Sequence, residues 1–140
     1  MSDLRQRILE IIHRPQLAAL ATVTEMDNPW VRYVVAIGDA HFAIRCATFI
    51  ESRKVKHILK NPNVHLTCGV NGLQSMQPYL QIQGQARIAT DREERHGFWN
   101  EMLAPIFDGP DDPRYALIIV EPYRIEYCTP GSYEPEIWTR

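Results

Sequence analysis

The chain has 140 residues, enough for one domain with its own core. Hydrophobic residues make up 45% and charged residues 23%, a globular balance, and a formal net charge of -2 argues against a general nucleic-acid or polyanion binder. No apolar run is long enough to span a bilayer.

Leu4, Ile8, Ile11 and Ile12 recur at helical spacing. They predict a short amphipathic helix, with Ser2 as its cap, ending before Pro15. Asp3, Arg5 and Arg7 interrupt this segment too early for a signal peptide. Gln16 to Thr24 reads as a strand, and Asp27-Asn28-Pro29 as turn material. Trp30 to Ile37 is the next strand. Gly38-Asp39 is a tight turn, and His41 to Ala47 its hairpin partner.

A helix is expected from Ser52 to Lys60, with Ser52 as N-cap and Val55, Ile58 and Leu59 as the apolar face. Asn61-Pro62 stops it. Asn63 to Val70 is a fourth strand, followed by a loop from Asn71-Gly72 to Pro78. Tyr79 to Ala89 is a fifth, in which Gly84 signals a bulge or a close backbone approach. Asp91 caps a helix running to about Leu103, and Phe107 to Pro113 is a loop. Tyr115 to Glu121 and Tyr123 to Cys128 are two further strands, broken by Pro122. The first three strands have short connections and so pair antiparallel. The pattern is mainly β: a six- or seven-stranded antiparallel barrel with peripheral helices, forming a single domain over 1–140.

Cys46, Cys68 and Cys128 are odd in number, widely spaced and set in apolar runs. They read as buried free thiols of a cytoplasmic protein. The five histidines are scattered over different elements, so no metal site is expected.

The junction Thr48-Phe49-Ile50-Glu51-Ser52-Arg53-Lys54 carries the most chemistry. A strand feeds a helix whose first turn holds a hydroxyl, a guanidinium and an ammonium. Free N–H groups and the positive end of the helix dipole favour an anion there. Arg53 can grip two phosphate oxygens and Lys54 adds a point charge. Two cations in the first turn run against the dipole, which a bound anion explains. Taken alone, Arg53, Lys54, Lys56, His57 and Lys60 read better as a solvated face of an amphipathic helix.

The neighbouring sequence favours the anion. Leu20-Ala21-Thr22-Val23, Asn28-Pro29 and Arg32-Tyr33-Val34-Val35 come first, then Thr48 with Ser52-Arg53-Lys54, then Asn61-Pro62-x-Val64, then the strand to Gly84 and the helix with Trp99. In this order and spacing, nearly the whole chain resembles the pyridoxamine 5′-phosphate oxidase-like, FMN-binding split barrels, in its size and ending the general stress protein branch. The resemblance implies FMN as cofactor, its phosphate held by Ser52, Arg53 and Lys54. It places Arg32, Tyr33, Val34, Val35, Ala47 and Thr48 along the ribityl chain and ring edge. It further implies a homodimer with the flavin at the subunit interface and a small-molecule substrate or reductant.

Three positions depart from the oxidases. Ile37 stands where they carry a Lys, Tyr79 where they carry a Gln, and no Trp-x-x-x-Arg-x-His segment follows Glu136-Ile137-Trp138. Flavin binding is therefore expected without vitamin B6 oxidation. Gln81 is a candidate for a flavin carbonyl. Trp138 and Tyr133 suit either a place beside the flavin or docking onto their own barrel. Trp99 is expected to pack in the core or at the dimer contact. No side chain stands out as a catalytic proton donor. The alternatives are a non-catalytic, stress-related flavin binder, or a haem- or deazaflavin-binding split barrel with His57 as axial candidate.

Overall fold

In a computed structural model, which describes residues 3–74 and 76–140, seven strands and three α-helices form among the described residues. The helices are α1 (Leu4–Ile12), α2 (Arg53–Lys60) and α3 (Arg92–Phe98). The strands are β1 (Gln16–Val23), β2 (Pro29–Gly38), β3 (Ile44–Phe49), β4 (Asn63–Cys68), β5 (Tyr79–Ala89), β6 (Tyr115–Cys128) and β7 (Glu136–Thr139). The sheet order is β3-β2-β1-β4-β5-β6-β7, and β3 also pairs with β6. Six antiparallel strands thus close a barrel, and β7 hangs on β6 as an extra strand. No helix among the described residues is long and apolar enough to cross a membrane.

The cap expected at Ser2 falls outside the described residues. Asp3 caps α1, its carboxylate accepting from the Gln6 N–H at 2.8 Å. α1 buries Ile8 and Ile12 against one end of the barrel. Along β1, Ala18, Leu20 and Thr22 alternate inward, the period-2 pattern of a half-buried strand. β5 runs from Tyr79 to Ala89, the range expected from the sequence.

Four elements differ from the sequence reading by more than one residue. β3 begins at Ile44, not His41, because the Asp39 carboxylate accepts from the His41 and Ala43 N–H groups and Phe42 takes φ 70°. It extends to Phe49, so Thr48 belongs to the strand. β4 stops at Cys68, where Gly69 adopts φ 109°. The helix after Asp91 ends at Phe98, and a separate 3₁₀ turn follows from Glu101 to Leu103. The side chain of Asn100 accepts from the Met102 N–H and starts that turn anew.

The fourth concerns Pro122, which does not break β6. The strand runs through it with a bulge: Gly84 pairs with Pro122 while Gln83 pairs with Arg124, leaving Tyr123 as the extra residue. The freed carbonyls are satisfied by Arg140, whose Nε donates to Pro122 O at 3.0 Å and whose backbone N–H donates to Tyr123 O at 3.2 Å. The first half of β6, Tyr115 to Val120, is buried on both faces, which explains its unbroken apolar run. Ile118 and Val120 join the barrel core. Tyr115, Leu117 and Ile119 face a second cluster with Leu103 and Phe107.

Candidate functional site

The strand–helix junction forms as its sequence suggests. β3 ends at Phe49, and Ser52 sits at the N-cap of α2 with extended backbone. Its hydroxyl does not cap the helix; it lies 3.1 Å from Thr48 Oγ1, so two hydroxyls face each other at the junction. α2 buries Val55 and Ile58, whereas Leu59, expected on the same face, is 71% exposed. The first turn of α2 carries no acidic residue. Arg53, Lys56 and Lys60 are exposed, and Lys54 and His57 are half-buried. The solvated-face reading thus fits only part of the basic set.

A third cation arrives from another strand. Arg32 lies on the inward phase of β2, with Val34 and Ala36. Its Nη1 donates to Thr22 Oγ1 at 2.7 Å and to the carbonyls of Leu20 and Trp30 at 3.2 Å each. The Arg53 guanidinium stands 5.6 Å from the centroid of the Trp30 ring. Burial, then the Arg53 charge, holds Arg32 below the usual guanidinium range. Burial lowers Lys54 as well, with Cys46 opposing and Arg32 adding to the shift. His57 is pushed down by burial, Arg32 and Arg53, against a weaker pull from Glu25. Among the described residues, Arg32, Arg53 and Lys54 make no ion pair with a carboxylate. Cations gathered at one junction without an acidic partner among the described residues suit an anion.

Beside it opens a cleft of about 570 Å³. One wall is the outward face of β2 and β3, with Val35, Ile37, Ala47 and Phe49; the other is the segment from Gly97 to Phe107. Thr48 and Lys54 line its polar end. Aromatic contacts stiffen the far wall: Phe49–Phe107 at 4.9 Å, Phe107–Tyr115 at 5.0 Å and Trp99–Tyr115 at 5.6 Å between centroids. The volume suits a small-molecule pocket, and its apolar wall with one cationic end suits a ring system bearing an anionic group.

The structure therefore gathers Arg32, Thr48, Ser52, Arg53 and Lys54 around one junction, and of these Thr48 and Lys54 line the cleft together with Val35 and Ala47. Tyr33 and Val34 are split by the strand's alternation: Val34 packs against the core and Tyr33 is 77% exposed on the outer face. Gln81 is not in this group; it lies on β5 between Thr67 and Glu126, exposed. Nor is Trp138, which packs edge-on against Phe42 at 4.9 Å beside the core. Within one chain, docking on its own barrel is the placement found for Trp138. Trp99 both packs on Tyr115 and lines the cleft. Two participants escaped the sequence reading: Thr22 and Trp30. A Thr at an inward strand position between apolar residues demands a polar partner, and that was the available signal for Thr22. Among the described residues no group of His, Cys, Asp and Glu converges as metal ligands.

Comparison with known proteins gives a family-model match over residues 4–129, described as pyridoxamine 5′-phosphate oxidase. General stress protein 26 of Bacillus subtilis (strain 168) is 30% identical over 133 residues, covering 95% of this chain and 94% of that protein. The crystal structure of general stress protein 26 from Bacillus anthracis str. Sterne superposes with a TM-score of 0.83 at 31% identity, covering 98% of each chain. A pyridoxamine 5′-phosphate oxidase-related, FMN binding protein from Nostoc punctiforme shares the fold, with a TM-score of 0.66, 16% identity, and coverage of 87% of this chain and 78% of that one.

Proposed function

The chain belongs to the pyridoxamine 5′-phosphate oxidase family, and on that premise we propose that it binds FMN and acts as a flavin-dependent oxidoreductase on a small molecule. The observation that carries this reading is a cation cluster, without a carboxylate partner among the described residues, that meets an apolar cleft at Lys54 and Thr48. Arg53, Lys54 and Arg32 would hold the phosphate, with the Thr48 and Ser52 hydroxyls beside them. The walls at Val35, Ala47 and the Trp99–Phe107 segment would shield the ring from water. Bound there, FMN would supply the acceptance and return of electrons. The protein's share is position, exclusion of water and a positive field at the phosphate.

The cofactor would lie at the interface of a homodimer. On the outer face, Leu17 pairs with Val35, Ala19 with Tyr33 and Ala21 with Val31. Leu17, Val31 and Tyr33 are 65%, 62% and 77% exposed, an apolar row that a two-fold partner would bury. The exposed Gln81 would then be available to a partner's site. Ile37 lines the cleft where the oxidases have a Lys, so the phosphate of pyridoxamine 5′-phosphate would find an apolar wall there. FMN-loaded protein is expected to give no peroxide from that compound.

The test compares FMN with riboflavin by fluorescence quenching. Losing a charge-assisted contact costs about 1.5–3 kcal/mol, so Arg53→Ala or Lys54→Ala should weaken FMN about tenfold or more. Riboflavin affinity should hardly move. Equal loss for both ligands would contradict the phosphate assignment. Reduction of the bound flavin by a nicotinamide or another donor would separate an enzyme from a passive flavin carrier.

A further inference from the structure

The buried hydroxyl of Thr22 ties two basic groups from different elements together. Thr22 is 1% exposed. Its Oγ1 lies 2.7 Å from Arg32 Nη1 and 2.8 Å from His57 Nδ1. A guanidinium only donates, and a hydroxyl has a single proton. Thr22 accepts from Arg32, and among the described residues His57 Nδ1 is the acceptor at hand for its one proton, which we assign to that bond. That arrangement requires His57 as the neutral imidazole with its proton on Nε2. A proton added at Nδ1 would set a second donor against Thr22 and strand the hydroxyl proton in a buried place. It would also add a charge beside Arg32 from β2 and Arg53 from its own helix. Glu25, in the turn after β1, is the opposing charge. Among the described residues β5, which also packs on α2, adds no charge that moves His57. The free site thus resists protonation of His57 on two grounds, hydrogen bonding and like charge. A bound dianion cancels the second.

We propose that Thr22 and His57 are positioning residues of the anion site: Thr22 holds the Arg32 guanidinium in place, and His57 takes a proton from solvent when a phosphate or sulfate dianion binds. Anion binding is then proton-linked, and by reciprocity the anion tightens as protons become available. The idea rests on the assignment of the cation cluster to the FMN phosphate.

Two measurements test it. In the first, FMN and riboflavin affinities are taken from pH 8 to pH 6 for wild type, His57→Gln, Thr22→Val and Thr22→Ser. The FMN phosphate titrates near pH 6 in every variant, so the readout is the ratio of wild type to His57→Gln. That ratio should rise about three- to tenfold as pH falls, one proton giving at most about tenfold per pH unit. Thr22→Val should weaken FMN about tenfold and leave riboflavin alone, while Thr22→Ser restores binding. In the second, the His57 ring is titrated by NMR with and without saturating sulfate, whose charge is fixed over this range. Its midpoint should rise by about half a pH unit or more with sulfate. This measurement needs no variant that might fold poorly. A constant ratio together with an unmoved midpoint overturns the proton linkage, and wild-type FMN binding by Thr22→Val overturns the positioning role. If wild type prefers FMN to riboflavin, those failures leave the phosphate assignment standing. If it shows no such preference, the assignment fails and this inference with it.

Discussion

Gly84→Ala tests the β5–β6 bulge directly. A Cβ built on Gly84 would lie 2.7 Å from the Glu121 carbonyl oxygen, 2.9 Å from Val120 Cγ1 and 3.1 Å from the Glu121 carbonyl carbon. Two of these three atoms are backbone, so rotamer change cannot relieve the clash. Gly84 is not in the left-handed region, so the cost is steric. Overpacking costs about 1–3 kcal/mol, and a clash with backbone at the bulge belongs near the top, about 2–3 kcal/mol. For a chain of this size that is a fall in Tm of about 6–12 °C. Gly97→Ala is the control. A Cβ placed on Gly97, in α3, would have nothing within 4 Å. Alanine there should stabilise by up to about 1 kcal/mol through helix propensity. Urea unfolding followed by tryptophan fluorescence should show shifted midpoints of opposite sign with an unchanged slope. Both variants are compared in the same ligand-free state, since ligand linkage alone moves Tm. A Gly84→Ala melt within about 2 °C of wild type would refute the claim that the bulge cannot move aside.

Burial pushes the Cys46 and Cys68 thiols up to about 12, whereas Cys128 is half-buried; a native protein at pH 8 should therefore label first and fastest at Cys128, and fast labelling of all three would contradict the packing. Asp112 is buried and held well below the usual carboxylate range by the Arg114 hydrogen bond and the Asp108 and Arg114 N–H groups. Its contribution is complete above its unfolded value near 3.8 and is lost as pH falls through the folded one, so Asp112→Asn should lower Tm at pH 7 and flatten the acid limb below pH 4, and parallel Tm–pH curves would refute this. Val31→Glu puts a charge in the apolar row of β1 and β2, so light scattering should show a dimeric wild type and a monomeric variant; a dimeric variant would move the interface elsewhere.

Much of the architecture was written in the sequence, because the signals that set an element act over a few residues. The run from Tyr79 to Ala89 marked β5, and Ser52 marked the start of α2. The Thr48–Lys54 junction was legible for the same reason: its hydroxyls and cations sit within one strand end and one helical turn. Gly84 announced a close approach, though not to what. The corrections divide between distant partners and local caps. Pro122 stays within β6 because Gly84 faces it without a side chain and Arg140 satisfies the freed carbonyls. The helix after Asp91 ends early because Asn100 caps a new turn over the cleft. Trp138 joins Phe42 because β7 pairs with β6.

The convergence of Thr22, Arg32 and His57 shows the division most clearly. Each residue type was visible, but their meeting depends on which strand pairs with which and in what register. Leu20 opposite Arg32 places the guanidinium over the barrel end, and α2 packing on β1 brings His57 to Thr22. A one-residue slip in β1–β2 would turn Arg32 outward and dissolve the site. The local code names the elements and the cationic turn. Closure of the barrel, a sum of long-range registers, decides which side chains share that turn's charge.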